Sequence, residues 1–80
     1  MTVKSNFTRE YTVFLEVLIS ARKRQGLTQQ AVADLLDKPQ SFVSKYESGE
    51  RRLDVVEFCQ IAKVLGEDPA ALLREMGFVS

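Results

Sequence analysis

The sequence predicts an all-α fold in a single domain spanning residues 1–80. Apolar residues recur at spacings of three and four, the period of a helix with one buried side. Strict apolar–polar alternation, which marks a half-buried strand, is missing throughout. Each apolar stretch also ends at glycine or at an Asp/Lys-Pro pair, the residues that stop or start helices.

The first helix is expected from about Thr8 to Gln25. Tyr11, Phe14, Leu15, Leu18 and Ile19 fall on one face, and Val13, Val17 and Ala21 form a flanking apolar row. Arg22 continues the main face. Arg22, Lys23 and Arg24 occupy the last turn, where cations complement the helix dipole, and Gly26 offers a left-handed C-terminal residue. The second helix runs from about Gln29 to Leu36 with Thr28 as its N-cap. Val32, Leu35 and Leu36 are expected inward, and Ala33 is small enough for another helix to approach closely. Asp37-Lys38-Pro39 then interrupts the chain, because proline disfavours helical geometry in the residue before it.

A third helix spans about Gln40 to Ser48 and stops before Gly49. At about 100° per residue, Gln40, Ser41, Ser44, Lys45 and Ser48 share an arc of about 140°. Phe42, Val43, Tyr46 and Glu47 take the other side, so a polar face carrying one positive charge backs onto an apolar face with one carboxylate. After the loop 49–53, Asp54 and Glu57 form a capping-box pattern at the start of the fourth helix. Its expected apolar stripe is Val55, Phe58, Cys59, Ala62 and Leu65, closed by Gly66. Asp68-Pro69 opens the fifth, a cap followed by proline at the first helical position. That helix carries Leu72, Leu73 and Met76 and ends at Gly77.

Composition narrows the chemistry. With 45% hydrophobic and 28% charged residues the chain is ordinary globular protein. At 80 residues it buries only about 60% of its unfolded surface, which makes a partner subunit an expected source of stability. A single cysteine, Cys59, excludes an intrachain disulfide. The absence of histidine removes the imidazole base, the Ser-His-Asp triad and the common zinc ligand sets. Neither a cofactor nor a metal is expected. Glu16, Glu57 and Glu75 have no partner in sequence that would suggest acid–base work, so no enzymatic activity is expected either. No apolar run is long enough to span a bilayer and no secretory leader is visible, which together predict a cytoplasmic setting without a membrane partner.

The formal net charge is zero, but the charge is unevenly spread. Residues 22–52 carry seven bases against four acids, and residues 53–80 carry two bases against five acids. Because a polyanion responds to the local field, the middle of the chain can face phosphate while the last third cannot.

Two short helices joined by a tight break, the second with an all-polar face, make a helix-turn-helix. The major groove of DNA admits one helix, and its base edges are read by matching donors and acceptors. Gln bonds adenine in bidentate fashion, Lys bonds guanine, and Ser serves either. Gln40, Ser41, Ser44 and Lys45 are the residues of that kind on the outer face. Gln29, at the start of the second helix beside unpaired backbone N–H groups, is placed to hold a phosphate. Arg51 and Arg52 would flank the backbone just past the reading helix.

The residues 26–33 (GLTQQAVA) and 40–49 (QSFVSKYESG) resemble the Cro/lambda-repressor-like (XRE) helix-turn-helix family. The resemblance extends through Ile61-Ala62-Lys63-Val64-Leu65-Gly66 and covers about residues 15–76, leaving 1–7 as an N-terminal extension. It implies a five-helix, lambda-repressor-like DNA-binding domain that works as a homodimer on a palindromic operator. By position, Gln29 matches a phosphate-contacting glutamine, and Gln40, Ser41 and Lys45 match positions facing base edges. Ser44 and Ser48 match positions nearer the backbone or groove wall. Ser44 is grouped with the base contacts, and Ser48 with Thr28, Gln29, Arg51 and Arg52 among the phosphate contacts. Arg22 and Glu47 match a pair joining the first helix to the end of the third. Both lie on apolar faces, where a lone charge is costly, and they are expected to pair. Two departures stand out: Asp37 occupies a turn position often held by glycine, and Pro39 replaces the usual Ser or Thr cap of the reading helix.

The resulting expectation is a small sequence-specific transcriptional regulator on double-stranded DNA, with no small-molecule ligand and no sensing domain. The alternative is a protein-interaction module, an antitoxin or adaptor, in which DNA binding is secondary or absent. The zero net charge and acidic last third motivate that alternative, with Val3, Phe7, Phe78 and Val79 as candidate partner contacts. Two surfaces offer a dimer interface, helix one and the group Leu72, Leu73, Met76 and Phe78, of which the latter leaves the third helix free.

Overall fold

A computed structural model describes residues 8–80. Val3, Phe7 and the rest of the N-terminal extension lie outside the described residues. Five helices follow in order: α1 Arg9–Arg24, α2 Gln29–Leu36, α3 Gln40–Glu47, α4 Val55–Val64 and α5 Pro69–Met76. The described residues contain no strand.

Local chemistry accounts for the ends. The hydroxyl of Thr8 accepts from the Tyr11 N–H, that of Thr28 from Ala31, and the Asp68 carboxylate from Ala70. Asp54 and Glu57 form a reciprocal capping box, each side chain accepting from the other's backbone N–H at 2.8 and 3.0 Å. Only α3 starts without a side-chain cap, because Pro39 holds the N-cap position. At the other end of the turn, Asp37 adopts a left-handed conformation (φ 59°) and its N–H and that of Lys38 return to the last carbonyls of α2.

α2 packs against α3 and α4, α1 against α3 and α5, and α4 against α5. All five helices supply the shared core. Ala21, Val32, Ala33, Val43, Ala62 and Leu72 are fully buried at its centre, with Leu18, Tyr46, Ile61 and Leu65 around them. Small residues on three helices let the backbones approach closely, and the larger side chains fill what remains.

Several inward assignments change. Leu35 is 56% exposed, because α2 meets its neighbours through Val32, Ala33 and Leu36. On α4 the buried stripe is Phe58, Ile61, Ala62 and Leu65, while Val55 and Cys59 face outward. The helix is thus turned relative to the expected stripe, and Ile61, not Cys59, enters the core. Both stripes satisfy helical spacing, so α1, α2 and α5 decide between them. Leu72 and Met76 are likewise spent inside the monomer, Leu73 is half-buried against the core, and only Phe78 of the expected interface group is exposed.

Candidate nucleic-acid interface

The turn after α2 sets α3 across it, and α3 inserts Val43 and Tyr46 into the core. Phe42 packs its ring edge-on against Tyr46 at 5.6 Å. Anchored from that side, α3 turns Gln40, Ser41 and Lys45 to solvent and leaves Ser44 half-buried.

Behind this strip lies a connected set of polar groups. Arg22, in the last turn of α1, donates through Nε to Glu47 Oε2 at 2.7 Å and through Nη2 to Oε1 at 3.1 Å. Its Nη1 donates to the Leu27 carbonyl at 2.9 Å, tying down the loop between α1 and α2. Both side chains are nearly closed off from water, 11% exposed for Arg22 and 7% for Glu47. The hydrogen bond to Glu47 raises the affinity of the guanidinium for its proton, against the opposing effect of burial. Burial also pushes the neighbouring Tyr46 phenol well above its ordinary value, reinforced by the Glu47 charge and partly offset by Arg22.

Glu47 accepts a further bond from Gln29 Nε2 at 2.9 Å. Gln29 Oε1 in turn accepts from Gln40 Nε2 at 2.7 Å. Four side chains from three helices therefore form one chain of hydrogen bonds that ends on the outer face of α3. The structure brings together Arg22, Glu47, Gln29 and Gln40 in a way that spacing along the sequence does not indicate, because Gln29 and Glu47 lie 18 residues apart.

The remaining candidates are distributed around this centre. Thr28 uses its oxygen as the α2 cap and keeps its own proton to donate. Ser48 donates its only hydroxyl proton to the Lys45 carbonyl at 3.1 Å, so it has none left for a phosphate unless that bond opens. Arg51 donates through its two terminal nitrogens to Glu57, at 2.7 and 3.1 Å, and lies 4.9 Å from the Phe42 ring centre, with Lys38 at 5.4 Å from the same ring. Arg52 lies 4.0 Å over the Tyr11 ring, and the Tyr11 hydroxyl accepts from the Leu53 N–H. Neither arginine hangs loose from the loop: each is docked on an aromatic ring, with its charge at the surface.

The Arg51–Glu57 pair holds the Glu57 carboxyl below its usual range, helped by the Asp54 N–H. Sequence reading assigns Glu57 to the cap alone. The signal for its second role is the presence of a base six residues upstream across a short loop.

A second concave feature opens away from α3, between the start of α1, α4 and the end of α5. It is an apolar groove of about 490 Å³ lined by Tyr11, Phe14, Phe58, Cys59 and Leu73, with Phe78 at its edge. Cys59 faces this groove instead of the core. Val55, Val56, Phe78 and Val79 are exposed.

Residues 18–72 match the model of the helix-turn-helix family. Among solved structures, the chain is similar to an XRE-family like protein from Pseudomonas syringae pv. tomato str. DC3000. The two are 47% identical, with a TM-score of 0.82 over 85% of this chain and 83% of that one. It is also similar to apo-HppE, at 34% identity and a TM-score of 0.68. That alignment covers 76% of this chain and 34% of the HppE chain. Among curated proteins none matches.

Proposed function

The chain belongs to the XRE-type helix-turn-helix family, and from that membership we propose that it is a small DNA-binding transcriptional regulator that reads double-stranded sequence with α3. The observation that carries this reading is the outward strip of α3: Gln40, Ser41 and Lys45 project from a helix whose opposite side is locked into the core. In it, α3 enters the major groove and these residues, with Ser44 at the wall, select bases. Gln29 retains one amide N–H and Thr28 its hydroxyl proton, and both sit at the α2 N-terminus, where a phosphate is favoured. Arg51 and Arg52 supply positive charge beside the backbone. The protein acts by binding, not by catalysis.

The regulator works as a homodimer, with two α3 helices about 34 Å apart in successive major grooves of a palindromic site. Exposed Val55 and Phe78 and half-buried Leu73 around the groove, with exposed Val79 next in the chain, support an interface there, since it lies on elements other than the α2–α3 unit. The same groove and the acidic last third favour the second reading, a protein-interaction module that carries this fold with little DNA binding.

Selection of bound sequences from random duplex, followed by titration of the enriched site, tests the proposal. A palindromic consensus, with light scattering at the mass of two chains, is the expected result. No retardation of any duplex at micromolar protein and low salt overturns it in favour of the interaction module.

A further inference from the structure

Part of the positive charge beside α3 is already neutralised inside the molecule, by acids of the last third. Arg51 is the clearest case. Its backbone N–H donates to the Lys45 carbonyl at 3.1 Å, and its guanidinium lies 4.9 Å from the Phe42 ring centre. The charge is therefore fixed against α3, on the residue that follows Ser41 of the outward strip. Lys38, from the turn before α3, stands 5.4 Å from the same ring and adds to the local positive field.

The anion held in that field is the Glu57 carboxylate. Arg51 Nη1 donates to Glu57 Oε1 and to the Arg52 carbonyl, both at 3.1 Å, and Nη2 donates to Glu57 Oε2 at 2.7 Å. Glu57 is kept ionised there chiefly by Arg51, then by the Asp54 N–H and, more weakly, by Lys38. A guanidinium carries five N–H groups, so Arg51 retains Nε–H and one N–H on Nη2. Those two lie along one edge and suit a pair of phosphate oxygens. Donors remain, but the charge is cancelled. Binding to DNA gains from counterions released when net positive charge meets phosphate, and an arginine closed on a carboxylate releases none. Arg24 is met in the same manner by Glu67 at 3.1 Å and Glu75 at 3.6 Å.

We propose that Glu57 is an internal competitor of DNA: it holds the Arg51 guanidinium on the Phe42 ring in place of a backbone phosphate, and so restrains affinity for any duplex. This rests on the reading of α3 as the DNA-reading helix. The competing ligand is one phosphodiester, which carries no sequence information, so base preference is untouched. The role is separate from the α4 cap, because an uncharged amide oxygen also accepts from the Asp54 N–H.

The test is a fluorescence anisotropy titration of a labelled random-sequence duplex over a salt series. It compares wild type, Glu57→Gln, Arg51→Gln and the double variant, with Glu50→Gln as a charge control. Glu50 precedes Arg51 in the loop and is exposed, so removing it changes the net charge equally without releasing Arg51. The Arg51–Glu57 pair lies largely at the surface and contributes little to stability, so Glu57→Gln stays folded. Glu57→Gln should bind about fivefold tighter than wild type at low salt, with a salt slope steeper by about one. Glu50→Gln should gain less than about twofold, since a screened charge without a contact has a small effect. On the Arg51→Gln background, Glu57→Gln should likewise gain less than about twofold, because no guanidinium is released. The sequence selected from random duplex should be the same for wild type and Glu57→Gln.

A Glu57→Gln affinity no more than about twofold above wild type overturns the proposal. An affinity below wild type does so too, and would make Glu57 a support for Arg51 at the phosphate. A gain of equal size in Glu50→Gln, or on the Arg51→Gln background, also overturns it, since net charge alone would then account for the effect. So does a changed sequence preference in Glu57→Gln. In all these cases DNA binding itself still stands. If neither wild type nor Glu57→Gln binds any duplex, both readings fall.

Discussion

Arg22 grips both oxygens of Glu47 across 25 residues of sequence and joins the last turn of α1 to the last turn of α3. The pair is formed where solvent is nearly excluded, so neither charge is well solvated without the other. Its third donor, to the Leu27 carbonyl, extends the link to the start of α2. One guanidinium thus fixes the relative positions of the three helices that build the candidate interface.

Arg22→Ala and Glu47→Ala should each cost about 3 kcal/mol in urea denaturation, near the low end for a broken buried pair because a little solvent still reaches both groups. The double variant Arg22→Met/Glu47→Leu should recover most of that loss, since two apolar side chains of similar volume leave no stranded charge. A double variant no more stable than either single would show that the site needs the ions for another reason.

Lys45→Ala should weaken the preferred DNA sequence by about 1–3 kcal/mol and relax preference at one position. Arg52→Ala should weaken all sequences similarly and lower the salt slope by about one. Filter binding over a salt series, on the preferred site and a scrambled one, separates the two. Equal loss on both sequences for Lys45→Ala would remove it from the base-reading set.

Asp37→Gly should stabilise the protein by about 0.5–1 kcal/mol. Asp37 has a left-handed backbone (φ 59°), which penalises a side chain at Cβ, and the gain is reduced by the greater freedom of glycine in the unfolded chain. Thermal melting at neutral pH measures it. Because the turn is already in the geometry glycine prefers, the affinity for DNA should be unchanged.

Glu57 gives the protein an acid-sensitive contact. Its carboxyl lies below the ordinary value of about 4.5, chiefly through Arg51. A depressed value in the folded state stabilises fully above the unfolded value and is lost as pH falls through the folded one. The difference in Tm between wild type and Glu57→Gln should therefore be constant from pH 7 to about 5 and shrink below about 4.5. A gap that persists unchanged to pH 3 would show that the charge of Glu57 contributes nothing.

Much of the architecture is determined by the amino-acid sequence alone. Thr28, Asp54 and Asp68 start helices, Gly26, Gly66 and Gly77 end them, and Asp37 takes the left-handed turn. Each of these depends on groups within a few residues of itself, so local spacing suffices to read it. The polar strip of α3 is legible for the same reason, because no other side of that helix lacks apolar residues. Packing decided what periodicity leaves open. Val55 and Cys59 fit a helical stripe on α4 as well as Ile61 does, and only the neighbouring helices choose which stripe is buried. The bonds from Gln29 to Glu47 and from Arg51 to Glu57 are likewise products of tertiary structure, since they depend on how separate helices and loops are set against one another. Hydrogen-bond direction is a property of atoms in contact, and those contacts exist only after the helices have docked.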